Sequence, residues 1–484
     1  MTSPEPVPTH RARRPDSLWG PSRRPLTIGL VFTITLVAAE ALAVATAMPI
    51  VARDLGGLRL YGWVFSAFFL GSLIGISVVG GLIDERGLVL PFAGGLALFG
   101  VGLVICGLAP TMEMIVFGRF IQGLGGGAVP PVAYVAIGRS LPDRLRPRMF
   151  AMLSAAWVVP GLVGPAIAGF VAEIWHWRIV FLGLLPLVLV AGTIAVRAIG
   201  AIHDAPGDDA AAHGPDDGGR IQRRRRLPWA IGASAGAGLI TTGLLSAEPL
   251  LFAGLSVGGA LLTLLAFRRL APVGTLRLAR GYPAAVLLRG VLTFAFFSID
   301  AYVALLLVEV RGWSAATAGL ALTGATVSWS FGSWLQARTA AMVGAEGFVR
   351  IGFPIVALGI AGMALALLPE VPAWIAVPMF TLSGLGMGLA YSQFAIIVLR
   401  DAPRGAQGAV SAAVSLSDVL GTALGTGIAG AMVAASVRAG AGAAPGLAAA
   451  IAMGAVVAML GFVAAPRLHR EAPGAGVPAR RAQA

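Results

Sequence analysis

Apolar residues come along this chain in long unbroken runs rather than with the spacing of a half-buried helix or strand. The first covers 26–50. Others follow at 60–82, 90–109, 112–137, 149–172, 179–199, 229–247, 250–267, 284–308, 314–336, 347–368, 372–399, 409–436 and 446–465. Each is close to the roughly 20 residues a helix needs to cross a hydrocarbon layer about 30 Å thick. Fourteen such runs predict an all-α integral membrane protein, because a helix satisfies its own backbone hydrogen bonds where water is absent. The basic start and Ala45-Thr46-Ala47 look like a cleavable signal, but the first run is long enough to span and is expected to be retained. The longest hydrophilic break, 200–228, holds Asp204, Asp208, Asp209, Asp216 and Asp217 ahead of four arginines at 223–226. It reads as a flexible cytoplasmic linker. The chain then divides into a tail (1–25), six spans (26–199), the linker (200–228), two spans with a basic loop (229–280), six more spans (281–466) and a second tail (467–484).

Composition supports the membrane reading: 57% of residues are hydrophobic, 12% are charged, and the mean hydropathy is +0.86. No soluble core could hide so much apolar surface. The 66 glycines suit helices that must approach closely where lipid gives no hydrophobic drive to associate. The net charge of +13 is carried by 35 arginines and no lysine. In a soluble chain that would point to nucleic acid, but here the arginines fall between the runs. Five (Arg53, Arg59, Arg178, Arg311, Arg438) lie on one side, two lie inside runs, and the remaining 28 lie on the other side with both tails. The excess of positive charge on cytoplasmic loops then predicts a cell-membrane protein with both termini in the cytoplasm. Cys106 is the only cysteine and sits inside a run, so neither a disulfide framework nor a thiolate metal site is expected. The glycines at 123–127 lack the Lys-Ser/Thr of a phosphate loop, and there is no nucleophile elbow; no enzyme is expected.

Charges inside the runs carry the chemistry. Arg119 cannot lose its proton, and a charge at bilayer depth costs at least about 2.5–3.5 kcal/mol, so it must face a partner or water. Glu113 is a poor partner, because six helical residues turn about 600° and put it on the far face. The partner must come from another run, and Glu40, Arg289, Asp300 and Asp418 are further charges set inside runs. Arg289 and Asp300 share a face about 16 Å apart, lining one wall without pairing. Asp418 lies nearer the cytoplasmic half. Aromatic residues including Phe297, Trp329 and Tyr391 either line an apolar pocket or face lipid.

Several motifs carry a family resemblance. Glu40 precedes Pro49 by nine residues in the first span, and Tyr61-Gly62-Trp63 opens the second. Gly80-Gly81-Leu82-Ile83-Asp84-Glu85-Arg86-Gly87 follows the second span. Arg119-Phe120-Ile121-Gln122-Gly123-Leu124-Gly125 lies in the fourth, and Gly161-Leu162-Val163-Gly164-Pro165-Ala166-Ile167-Ala168-Gly169 in the fifth. Together with the six, two, six plan they resemble the major facilitator superfamily, and in particular its fourteen-span drug:proton antiporter branch. The match has departures. Glu40 replaces the usual Asp, Ala45 stands where Asn is frequent, Leu88 and Val89 occupy two usually basic positions, and Ala168 replaces a glycine.

The resemblance implies a major facilitator fold of two six-helix bundles plus two inserted spans. It also implies a proton-coupled antiporter that exports amphiphilic or cationic small molecules by alternating access. Proton coupling falls on Glu40, Arg119 and Asp300. The bundles are related by a pseudo-two-fold, and Asp300 precedes Glu309 by nine residues as Glu40 precedes Pro49. Gln122, Arg289, Phe297, Trp329, Tyr391 and Asp418 are the candidate cavity residues. Gly80, Asp84, Arg86 and Gly87 would gate, while the bend at Gly161, Gly164, Pro165 and Gly169 points to export. An exporter or flippase of an endogenous lipid or peptide shares these features, whereas a proton-coupled importer of a polar metabolite would want a more polar lining. No cofactor is expected beyond the proton as coupling ion. The expected partners are a small amphiphilic substrate and membrane lipid, with no nucleic acid, and the chain is expected to act as a monomer.

Overall fold

The apolar runs fold as helices, and no strand occurs among the described residues. The computed structural model describes residues 17–21, 23–203, 217–403 and 406–469, with the side chains at 202, 203 and 217–225 left aside. In chain order the helices begin with α1 (Arg24–Asp54), α2 (Tyr61–Arg86), α3 (Val89–Leu108) and α4 (Met112–Ser140). A broken pair, α5 (Arg146–Ala155) and α6 (Val158–Val171), leads through a π turn into α7 (Trp177–Leu182) and α8 (Leu184–His203). Next come α9 (Asp217–Leu245) and α10 (Pro249–Leu270). The chain finishes with α11 (Tyr282–Asp300), the short α12 (Val303–Leu305), α13 (Ala315–Gly362), α14 (Ala376–Ala390), α15 (Gln393–Asp401), α16 (Gln407–Arg438) and α17 (Ala444–Ala464).

Eleven helical stretches among the described residues are long and apolar enough to cross a membrane. Two of them, Arg146–Ala201 and Ala315–Leu367, hold 56 and 53 residues, more than twice the crossing length of about 20 residues. The second is broken at Gly344, whose φ of 72° only glycine adopts without strain. The linker expected at 200–228 is shorter than the sequence implied. Helix α8 runs to His203 and α9 starts at Asp217, so the four arginines at 223–226 ride on a helix; 204–216 lie outside the described residues.

Helices α1–α8 pack among themselves, with α4 between α2 and α3 and with α1 against α6 and α8. Helices α11–α17 form a second group in which α11 lies on α16 and α13 on α14. Contacts of α2 with α16 and of α6 with α13 join the two groups, while α9 packs on α10, α2 and α16 together. Glycine permits these approaches. A Cβ at Gly123 would strike the Phe68 carbonyl, one at Gly125 the Gly95 carbonyl and one at Gly127 the Ser72 carbonyl. The glycine-rich run of α4 is therefore a backbone-to-backbone face. A Cβ at Gly161 would collide with Thr326, and Gly169 and Pro165 lie against Ala316 and Gly319, so the segment of α6 where a bend is expected is also the seam with α13. Gly164 meets nothing within 4 Å. At the end of α2, Gly87 turns the chain with φ 71°, and Asp84 and Arg86 are exposed.

Candidate functional site

The close packing of α4 against α2 and α3 holds Arg119 in the interior, 3% exposed. Its Nη1 donates to a Glu40 carboxylate oxygen on α1 and, at 2.7 Å, to Oε1 of Gln122. Its Nε donates to the Val64 carbonyl at 3.3 Å, and its guanidinium lies 4.4 Å from the Phe68 ring centroid. The last two partners, both on α2, could not be read from the sequence: one is a backbone oxygen, and the other is one phenylalanine among 22. Gly102 of α3 lets that helix pack directly on Gln122, since a Cβ there would strike the Gln122 backbone and Cβ. Glu40 and Gln122 are both 0% exposed, yet Oε2 of Glu40 and Nε2 of Gln122 have no hydrogen-bond partner. A buried unpartnered acceptor and donor each cost about 1–3 kcal/mol, so the site is open to a proton or a ligand group. Glu113 is exposed and takes no part.

A second polar cluster sits in the other helix group. Arg289 of α11 donates from Nη2 to Oδ2 of Asp418 on α16 at 3.0 Å, and from Nη1 to the Tyr391 carbonyl freed at the break between α14 and α15. Its guanidinium carbon is 3.1 Å from the Tyr391 ring centroid, and the Tyr391 hydroxyl donates to the same Asp418 oxygen at 3.0 Å. Trp329 stands edge-on to both Tyr391 and Phe296, and Phe297 meets Phe296 and, from the first group, Phe69. The sequence places Asp418 nearer the cytoplasmic half, and the structure pairs it with Arg289. Asp300 is half-buried and makes no hydrogen bond or ion pair among the described residues. It closes α11 one residue before the Ala301 carbonyl that accepts the Tyr61 hydroxyl at 3.2 Å. It joins neither Arg119 nor Arg289.

Hydrogen bonds that tie the two groups gather at the arginine-poor ends. Arg53 Nε lies 2.5 Å from Glu309 and Ser66 donates to the Ala423 carbonyl at 2.8 Å. Glu173 accepts from the backbone nitrogens of Ala315 and Ala316 at the start of α13. Nothing in the sequence marked Glu173 as a cap for a helix 142 residues away.

The model of the Major Facilitator Superfamily matches residues 28–426. The chain belongs to that superfamily. Within it, this facilitator is 32% identical over 183 residues to a probable multidrug-efflux transporter of Mycobacterium tuberculosis, covering 38% of this chain and 39% of that protein. It is 31% identical over 179 residues to the multidrug transporter protein MdtP of Bacillus subtilis, covering 37% and 33%. The matched segments thus span well under half of those relatives' length. Among solved structures it superposes on the nucleoside transporter NupG with a TM-score of 0.62 at 10% identity, covering 93% of this chain and 100% of that one. A bacterial homolog to the human lysosomal transporter Spinster, solved inward-facing and unoccupied, gives a TM-score of 0.61 at 16% identity, covering 94% and 100%. At such identities the likeness shows the fold alone.

Proposed function

We propose that this facilitator is a proton-coupled antiporter that exports amphiphilic or cationic small molecules by alternating access. In this reading fourteen spans cross the cell membrane with both termini cytoplasmic, and the chain works as a monomer without a cofactor. The observation that carries the proposal is the buried Glu40–Arg119–Gln122 cluster with its free Glu40 oxygen. A carboxylate that shares a guanidinium and keeps one oxygen unpartnered can take a proton only by loosening the ion pair. The two states of Glu40 therefore pack differently against α2 and α4. Proton and cationic substrate both weaken the claim of Arg119 on Glu40, so each excludes the other. Asp300, beside the Tyr61 contact at the arginine-poor seam, is the acid inside a span that a proton passing the Glu309 and Glu173 latch would meet ahead of Glu40 when that side opens. The hydrogen bonds gathered at that seam support a state open toward the arginine-rich, cytoplasmic side. Direction rests on the Gly161, Gly164, Pro165 and Gly169 segment of α6, which resembles an export motif and packs on α13, and substrate class on the relatives named for multidrug efflux.

The test is export from proteoliposomes under an imposed pH gradient, across a panel of cations and lipids. Wild type is expected to move amphiphilic cations against their gradient. Glu40→Gln, Asp300→Asn and Arg119→Ala are expected to lose that drive while downhill movement survives. Transport that ignores the pH gradient in wild type would refute coupling, and uptake that follows the proton inward would make the protein an importer.

A further inference from the structure

The second cluster has the build of a cation site that already holds a cation. Asp418, 19% exposed at its side chain, and the face of Tyr391 enclose the Arg289 guanidinium from two sides, and Trp329 backs the Tyr391 ring at 5.0 Å. A carboxylate beside an aromatic face backed by a second ring is the arrangement that recognises organic cations, through charge on one side and the ring quadrupole on the other. Arg289 is itself 7% exposed, and its Nε has no partner. The guanidinium therefore fills the cage while one of its own buried donors stays unsatisfied, which makes it a poorly matched occupant. Arg289 stands seven residues into α11, about 10 Å from its arginine-rich end at 1.5 Å per residue. A ligand arriving from that side meets Asp418 before it reaches the fully enclosed Glu40.

We infer that Asp418, Tyr391 and Trp329 form an entry site for the cationic group of an amphiphile, and that Arg289 is a built-in stand-in for that group, displaced when the amphiphile binds. The site rests on the cationic substrate class proposed above but not on proton coupling. Arg289 leaves Asp418 and the Tyr391 ring and swings toward water at the arginine-rich mouth, so the charge count in the cage is unchanged. Binding is then an exchange of one cation for another, which suits low selectivity among amphiphilic cations and excludes anions.

Tetraphenylphosphonium binding to the purified full chain tests this by calorimetry, with tetraphenylborate as the anionic counterpart. Removing the competitor in Arg289→Gln is expected to tighten tetraphenylphosphonium binding by about tenfold, one exchanged contact on the affinity scale. Asp418→Asn and Tyr391→Leu are expected to weaken it by at least about as much. Arg289→Lys, which keeps the charge but cannot bridge a carboxylate and a carbonyl together, is expected to tighten it by a smaller factor. If Arg289→Gln does not fold, the lysine variant decides: tightening supports the exchange and an unchanged affinity overturns it. Weaker tetraphenylphosphonium binding in an Arg289→Gln protein that elutes and melts like wild type overturns it as well. So does tetraphenylborate binding that depends on Arg289. Loss of pH-driven transport with these binding shifts intact would defeat the efflux reading alone, whereas intact transport with unshifted binding would defeat the cage alone.

Discussion

Glu40 and Arg119 act as one unit because neither is tolerable alone. Arg119 uses four partners: the Glu40 carboxylate, the Gln122 amide, the Val64 carbonyl and the Phe68 ring. Breaking a buried pair from one side usually costs about 3–5 kcal/mol, because the surviving charge is stranded. Arg119→Ala, which strands the Glu40 carboxylate, is therefore expected to lower thermal stability more than the double variant Glu40→Gln/Arg119→Gln, which strands nothing. Differential scanning fluorimetry of the two proteins measures this, and equal losses would contradict it. The sequence showed that Arg119 needed a partner from another span and offered Glu40 among the charges set inside runs. It could not offer the α2 partners. The Arg289–Asp418 pair was hidden for a related reason: along α11 the periodicity relates Arg289 only to Asp300, whereas the true partner lies 129 residues away on α16.

At the scale of elements, small residues decide how near the helices stand. Phe68 of α2 passes so close to Gly123 that any side chain there must push α2 off α4 and carry the Val64 and Phe68 contacts of Arg119 with it. Gly123→Val is expected to abolish folded yield or transport, while the same change at Gly164, which meets nothing within 4 Å, is expected to be mild. Comparative expression with size-exclusion profiles separates the two. A second element-scale device lies just after the Gly344 break, in the connection between two expected spans. There Glu346 accepts from Arg400 at 2.6 Å, and Arg400 also binds Asp401 at 2.7 Å. Partial burial acts to raise the Glu346 carboxyl, but the hydrogen bond and charge of Arg400 outweigh it and hold that carboxyl below its ordinary range. A carboxyl depressed in the fold stabilises above its unfolded value, near about 4.3, and loses that contribution as pH falls through the folded value. The melting difference between wild type and Arg400→Gln is thus expected at neutral pH and should vanish in acid; a difference that grows in acid would refute the clamp. Element existence was legible because runs of spanning length have few other fates. The break inside Ala315–Gly362 falls in the gap between the runs 314–336 and 347–368, whereas the helical start of α9 was less legible, since four arginines in a row fit either helix or loop.

For the whole molecule, the two helix groups touch through α2–α16 and α6–α13 and are latched at the arginine-poor ends by Arg53–Glu309 and by Glu173 on the start of α13. Alternating access requires this latch to open. Arg53→Ala with Glu173→Ala is expected to shift spin-label distances between α1 and α11 toward the state open at that side, and unchanged distances would assign the latch a packing role only. The two-group plan was visible in the spacing of the runs and the family motifs. The latch was not, because its partners are surface charges of ordinary appearance. The central claim, that proton and substrate compete at Glu40, is tested most directly by counting protons released when saturating amphiphilic cation is added to the purified chain in weak buffer, at a pH acid enough for Glu40 to have taken up its proton. Wild type is expected to release protons, and Glu40→Gln to bind the same cation with that release lost; an undiminished release from Glu40→Gln would contradict the account.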